Sequence, residues 1–353
     1  MIAAAVTAGL FALGAVSGQS AAASSAVAAD EAAAPPTVDR IAGADRYEAA
    51  VNISKQSHPG EEGLVYLVTG QNYPDALSAA PAVVHQGKGP LLLTPGDALP
   101  PIVAQELQRL NPSLVVIVGG VNSVSKKVED AVKALPVARE EGIQVTRIDG
   151  VDRYAASRNL INWSFGMATQ GDFTYVATGA TFPDALSAGA AAGAADVPVL
   201  LVDGTQPSLD ATTEGFISLR DVVADSVKIA GGPVSVSPGI ETQIAAITPV
   251  ERLFGPDRYA ASVAINHEAF NTSADAHSDR AFLATGENFP DALAGAAYAG
   301  AIKAPLFVVP GTCVPNGVLT ELAELDVKRV TLLGGPNSLS PAVEALTPCG
   351  APE

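Results

Sequence analysis

Short unbroken apolar runs alternate along the chain with longer stretches of helical character, and the alternation is written three times. Residues 64–68, 175–177 and 281–284 are such runs. So are Leu91-Leu92-Leu93, Val199-Leu200-Leu201 and Leu306-Phe307-Val308, each set off by a preceding proline. A continuous run, as opposed to one alternating with polar residues, predicts a parallel strand buried on both faces. Alanine-rich segments at 76–84, 185–195 and 292–301 predict helices with side chains small enough for their backbones to meet at a shared centre. Residues 47–56 read as a helix, and 100–110 as an amphipathic one through Ile102, Val103, Leu107 and Leu110. A strand at 114–118 and a closing helix complete the unit. Strands alternating with helices at crossover lengths predict an α/β fold with parallel-dominated sheets, three times over. The linkers, near 140–144 and 248–250, are short, so the three copies are expected to pack with pseudo-threefold symmetry inside one monomer.

The predicted strand ends carry repeated motifs. Thr-Gly-x-x-(Phe/Tyr)-Pro-Asp-Ala-Leu begins at Thr69, Thr178 and Thr285, 109 and 107 residues apart, a period of about one small domain. Gly70, Gly179 and Gly286 end the strand. The Pro-Asp pair, with Asp75, Asp184 and Asp291, suits the first turn of a helix. Each unit opens with Arg-(Ile/Leu)-x-Gly-x-Asp-Arg-Tyr at 40–47, 147–154 and 252–259, whose second arginines are Arg46, Arg153 and Arg258. Gly-Gly-x-x-Ser-x-Ser follows the third strand. In two copies it ends in Ser237-Pro238 and Ser340-Pro341, the combination expected of an N-cap serine with proline at the first helical position. Loops at the C-terminal ends of parallel strands are where α/β sheets bind ligands, and free N–H groups at a helix start can hold phosphate or carboxylate.

A purely structural reading of these motifs stays open, with glycines for turns and serines for caps. The arginines are either bidentate anion contacts or, with the neighbouring aspartate, part of an internal ion pair and hydrogen-bond set fixing the first helix to the sheet. Their joint recurrence with an aspartate favours the second. Catalysis by Asp75, Asp184 and Asp291 lacks a second invariant carboxylate and a repeated His or Lys beside them.

Composition changes the picture in three ways. A net charge of −17 argues against non-specific binding to nucleic acid or anionic membranes, so any anion must be held locally. The four histidines show no metal-ligand spacing, and no cofactor or metal is expected. The first 29 residues are uncharged, with an apolar run at 2–16 and a cleavage-like Ala26-Val27-Ala28, so residues 1–36 read as an export signal and junction. The first basic residue is Arg40, which leaves open a longer signal or a weak anchor, though the run is short for a membrane span. In an exported chain Cys313 and Cys349 could close a disulfide; the alternative is two unrelated thiols.

The four motifs, in this order and in triplicate across residues 40–346, resemble the cell wall binding repeat type 2 family. The resemblance implies three Toprim-like, Rossmann-like modules, here residues 37–142, 143–248 and 249–353, packed as a trimer. It also implies surface proteins of Gram-positive bacteria, anchored non-covalently to anionic secondary wall polymers. In that family the strand run is implicated in attachment. The matching positions are Leu91, Leu92 and Leu93, then Val199, Leu200 and Leu201, with the third copy, Leu306-Phe307-Val308, departing from the pattern. Read on their own, these residues are buried strand. The expectation is a secreted, wall-associated, non-catalytic protein whose polymer contacts come from Thr69, Gly70, Asp75 and Arg46, their counterparts in the other repeats, and the strand runs. The alternatives are a wall-active hydrolase or polymer-modifying enzyme using the three aspartates, and a soluble scaffold for a partner protein. Family members often carry an effector domain beside the repeats; no other domain is expected in this sequence, which reads as a bare wall-binding protein or a fragment.

Overall fold

The computed structural model describes residues 35–350 apart from 74–75, 88, 167–172, 219–225 and 272–277. The expected export segment falls outside these as far as residue 34. The first repeat runs β1 (Thr37–Ile41), α1 (Arg46–Ser57), β2 (Leu64–Thr69), α2 (Ala79–His85), β3 (Leu91–Thr94), α3 (Pro101–Leu110), β4 (Leu114–Val118) and α4 (Lys126–Lys133). The second runs β5 (Gln144–Ile148), α5 (Arg153–Phe165), β6 (Phe173–Thr178), α6 (Pro183–Ala195), β7 (Val199–Val202), α7 (Ala211–Ser218), β8 (Ser226–Ala230) and α8 (Pro238–Ala245). The third runs β9 (Val250–Leu253), α9 (Arg258–Asn266), β10 (Arg280–Thr285), α10 (Pro290–Ala301), β11 (Leu306–Val309), α11 (Asn316–Glu324), β12 (Arg329–Leu333) and α12 (Pro341–Glu344), with a π-helical turn, His267–Asn271, directly after α9.

Three four-stranded sheets result, every pairing in them parallel, ordered β3-β2-β4-β5, β7-β6-β8-β9 and β1-β12-β10-β11. The α/β modules are therefore as expected, with one departure. The opening Arg-Ile stretch of each repeat is a strand, and it joins the sheet of the repeat before it: β5 lies beside β4, and β9 beside β8. The last repeat has no successor, and its sheet is completed by β1 from the start of the chain, Ile41 opposite Leu333. Strand exchange thus closes the three repeats into a ring. The stretches read as linkers run straight into these strands, at Gln144 and Val250, because an apolar residue on each finds the neighbouring sheet: Ile148 and Leu253 are buried.

Each exchanged strand is clamped by the first arginine of its motif. Arg40, Arg147 and Arg252 donate through Nη1 to the carbonyls of Gly334, Gly119 and Gly231 at 2.7, 2.7 and 2.8 Å. Through Nη2 they pair with Glu344, Glu129 and Glu241 on the following helices at 2.9, 3.0 and 2.8 Å. Glu129 also receives Lys126 and Lys133, and its lysine and arginine partners hold its carboxyl down at about 2.

The alanine-rich helices meet at the centre, as their composition predicts. In α6 every residue from Pro183 to Gly193 is buried, the signature of a helix surrounded on all sides. A Cβ added to Gly300 of α10 would lie 3.0 Å from the Gly193 Cα, and one added to Gly193 would lie 3.2 Å from the Gly300 Cα. We expect Gly300→Leu to destabilise the fold by about 3 kcal/mol or more, since overpacking here displaces backbone rather than a side chain; urea unfolding against Gly215→Leu, at a site with open space around it, would check this. The motif aromatics Tyr73, Phe182 and Phe289 close one end of the axis, with ring centroids 5.4 to 6.1 Å apart.

Cys313 and Cys349 are bonded, S–S 2.08 Å. The Val314 and Cys349 amides donate to Thr347 and Val314 carbonyls, so the bond ties the C-terminal end to the start of α11. For a loop of this size the chain-entropy model gives about 4 kcal/mol. Cys313→Ser with Cys349→Ser is expected to lower stability by about 2–4 kcal/mol, read as a lower melting temperature that reductant reproduces in the wild type.

Candidate functional site at the repeat junctions

All three motif loops stand at the C-terminal edges of the sheets, and the exchanged strands bring together loops that the sequence separates. After β2 comes the Thr-Gly loop, after β4 the Gly-Gly loop, and after β5, the next repeat's strand, the Gly150–Arg153 turn. Together they enclose a cleft of about 460 Å³, lined among others by Thr69, Asn72, Asn122, Val151 and Arg153. The next junction holds a cleft of about 350 Å³ between Asp184, Val234, Ser235, Phe254 and Arg258. Each is therefore a composite of two repeats.

The Thr-Gly glycines are required by packing. A Cβ on Gly70, Gly179 or Gly286 would come within 2.9, 2.8 and 2.8 Å of the motif tyrosine ring, Tyr47, Tyr154 or Tyr259. Their N–H groups donate to Thr94, Val202 and Val309 carbonyls, and the N–H two residues after each threonine donates to the hydroxyl of Thr69, Thr178 or Thr285. These two amides of each loop are occupied within the protein. Thr69, Thr178 and Thr285 are themselves buried.

The second arginines reach back to these loops. Arg46, Arg153 and Arg258 donate through Nη1 to the carbonyls of Gly70, Gly179 and Gly286, each at 2.5 Å, while Asp45, Asp152 and Asp257 beside them N-cap α1, α5 and α9. This is the internal hydrogen-bond set expected from the motif, except that the aspartate caps the helix rather than pairing with the arginine. It engages one N–H of each guanidinium; no further hydrogen bond is made to the described residues. The rest of each fork faces the preceding repeat. Arg258 lies 6.0 Å from the Phe182 ring centroid and Arg46 5.9 Å from that of Phe289.

Asp184 and Asp291 point neither at a second carboxylate nor back onto their own helices. Asp184 accepts from the Ser235 hydroxyl at 2.8 Å and Asp291 from Ser338 at 3.5 Å, so the first serine of the third motif serves the aspartate. The last serine stands at the N-cap, where Ser125 and Ser237 accept from Val128 and Ile240 amides. Gly231 and Gly334, at φ +116° and +112°, leave no room for a Cβ, which would meet the Asp184 or Asp291 carboxylate at 2.5 or 2.4 Å. Burial raises the pKa of both aspartates, opposed by the serine hydrogen bond and by Arg258 near Asp184 or Arg46 near Asp291. Asp75 lies outside the described residues.

The strand-run residues are the central strands themselves. Leu91, Leu92, Leu93, Val199, Leu200, Leu201, Leu306, Phe307 and Val308 are all buried. The motifs did not single out the solvent-facing apolar residues of the clefts: Val151 is 98% exposed, Val234 95% and Phe254 50%. For Val151, an apolar side chain between the glycine and aspartate of a tight turn was the available signal; for Val234 it was an apolar residue inside the Gly-Gly-x-x-Ser loop.

Compared with known proteins, the chain matches the family described as Cell wall binding domain 2 (CWB2) at residues 40–129, 147–241 and 252–344. It is 28% identical over 87% of its length to an amidase enhancer and to the N-acetylmuramoyl-L-alanine amidase LytC, both of Bacillus subtilis. It covers 39% and 57% of those proteins, so it spans about half the length of the curated relatives it matches. Among solved structures, Cwp6 from Clostridium difficile superposes over 90% of the chain with a TM-score of 0.77 at 28% identity, and Cwp8 over 88% with 0.73 at 27%. The chain covers 49% and 51% of these two.

Proposed function

As a chain that belongs to the Cell wall binding domain 2 family, this is a cell wall binding protein, and we propose that it holds anionic secondary polymers of the wall in the clefts between successive repeats. The observation that carries this reading is the placement of Arg153 and Arg258, each tethered by one hydrogen bond, in clefts rimmed by exposed Val151 and Val234. A guanidinium fixed at one N–H keeps its remaining donors in a set direction, which suits phosphate or carboxylate. The apolar rim suits the sugar or polyol between charges. Repetition suits a repetitive ligand, because linked sites raise one another's effective concentration. An overall charge of −17 is no obstacle when the positive groups are local.

On this reading the strand runs act through folding. Their side chains are in the core, and truncating one leucine there costs about 2–5 kcal/mol. Attachment is the chain's own activity, without catalysis: among the described residues the charge sensed by Asp184 and Asp291 is an arginine, not a second carboxylate as a hydrolase would use. The protein is secreted as a monomer, with residues 1–36 as its export segment; among the described residues no helix is long and apolar enough to cross a membrane.

The test is co-sedimentation of the purified protein with cell walls before and after chemical removal of their secondary polymers. Retention lost with the polymers supports the proposal; equal retention on stripped walls moves the ligand to peptidoglycan. The raised aspartates add a pH dependence. A carboxyl whose folded pKa is raised is charged above that value and neutral below it, so lowering pH from about 7 to about 4 removes negative charge beside Arg258 and Arg46. Retention on walls bearing phosphodiester polymers is expected to rise over that interval. Asp184→Asn with Asp291→Asn should bind more tightly at neutral pH and lose most of the dependence; an unchanged profile would place the anion elsewhere.

A further inference from the structure

The repeats supply their own controls, and one position in them differs in a way that chemistry must answer. The sixth residue of α3 is Glu106, 1% exposed, and both its oxygens are satisfied: Arg109 donates at 2.7 and 2.8 Å, and Ser54 at 2.5 Å. In the second repeat the sixth residue of α7 is Phe216 and the question does not arise. In the third, the sixth residue of α11 is Glu321, 5% exposed, so the buried carboxylate returns. Three residues on, where α3 has Arg109, α11 has Glu324. The cation that neutralised the buried carboxylate has been replaced by a second carboxylate.

What stands near this pair is His267, on the π-helical turn that follows α9. A ring nitrogen of His267 and one oxygen each from Glu321 and Glu324 lie within 4.8 Å of one another. His267 Nδ1 meets Glu321 Oε1 at 2.8 Å, and Asn271, one helical turn on, holds Glu324 Oε2 at 2.9 Å. Glu321 Oε2 is buried and has no hydrogen-bond partner among the described residues. A buried carboxylate oxygen without a partner is costly, and a second carboxylate beside it makes it more so. The π-turn adds an independent sign: such turns are rare and gather at functional sites, and among the described residues neither α1 nor α5, the counterparts of α9, runs into one.

We propose that His267, Glu321 and Glu324 form a binding site for a divalent transition cation, with zinc as its natural probe. One imidazole and two carboxylates are a zinc-type donor set that leaves a fourth position for water, whereas calcium and magnesium prefer oxygen alone. Tetrahedral ligands about 2.0 Å from zinc stand about 3.3 Å apart, within reach of the present spacing by small side-chain movements. The ion would supply the charge that Arg109 supplies to Glu106 and would clasp the π-turn to α11.

The experiment is calorimetric titration of the full chain, free of any polyhistidine tag and dialysed against chelator, with Zn²⁺ and separately with Ca²⁺. The intact disulfide leaves no thiol to compete. One saturable Zn²⁺ site is expected, accompanied by a rise in melting temperature. His267→Gln and Glu324→Gln, both at exposed side chains, should each weaken it about tenfold or more. Glu324→Arg, which restores the first repeat's arrangement, should abolish Zn²⁺ binding while raising the metal-free melting temperature. No saturable Zn²⁺ binding by the wild type, binding unaltered in both glutamine variants, or equal saturation by Ca²⁺ would each overturn the assignment.

Discussion

Aspartate at both Val151 and Val234 is expected to weaken retention on cell walls about a hundredfold or more while leaving the melting temperature unchanged. The two side chains are almost fully exposed, so the substitutions disturb no packing, and surface changes of this kind stay within about 0.5 kcal/mol. Each new carboxylate stands at the rim of a cleft that holds Arg153 or Arg258. There it competes for the guanidinium and repels an incoming anion, a like-charge contact costing several kcal/mol at a binding surface. Disabling two junctions of three also removes the gain from linked sites, which amounts to about 10²–10⁴ in apparent affinity. Binding isotherms on purified walls read the effect directly. Either single variant should lose much less than the pair, and a double variant that binds like the wild type would move the contact away from the clefts.

Removing β1 is expected to have the largest effect on the fold. A chain that starts at Gly43 keeps every motif loop but loses the strand that completes the third sheet, together with buried Ile41 and the Arg40 bonds to Gly334 and Glu344. Lost ladder bonds, one apolar side chain and a half-buried clamp sum to about 3–6 kcal/mol, a large share of a typical folding free energy. The damage should not stay in the third repeat, because one continuous core joins residues from all three. Uncovering β12, whose residues Val330 to Leu333 are buried, would also expose an apolar sheet edge open to pairing with other chains. Urea unfolding and size-exclusion chromatography of the shortened chain against one starting at Pro36 would show a lower midpoint and oligomers; equal stability as a monomer would mean that ring closure is dispensable.

Much of this architecture is legible in the chain, for identifiable reasons. The buried strands announce themselves because a parallel strand covered on both faces needs unbroken apolar residues, as in Leu91-Leu92-Leu93. The central helices do so because only alanine and glycine allow the approach seen between Gly193 and Gly300. The arginine of Asp-Arg-Tyr is legible as structural because it recurs together with an aspartate, but the glycine carbonyl that receives it is fixed only by the fold. Less legible is the aspartate of Pro-Asp. Its position at the second residue of a helix suggests a dipole or capping role, whereas its partner, Ser235 or Ser338, is 51 or 47 residues away.

What the sequence determined by itself is the content of each unit: three repeats, their strands and helices, their turn glycines, and the residue types able to hold an anion. These are local properties, set by side-chain volume, periodicity and backbone conformation within a few residues. The tertiary structure alone decided the joining of the units. It placed the Arg-Ile stretch in the neighbouring sheet, closed the ring with β1, assembled each cleft from two repeats, and brought His267 to Glu321 and Glu324 across more than fifty residues of chain. A sheet edge accepts any strand of suitable register, and nothing within a strand names the edge it will meet. That choice is made by which neighbour covers the apolar residues and receives the arginine.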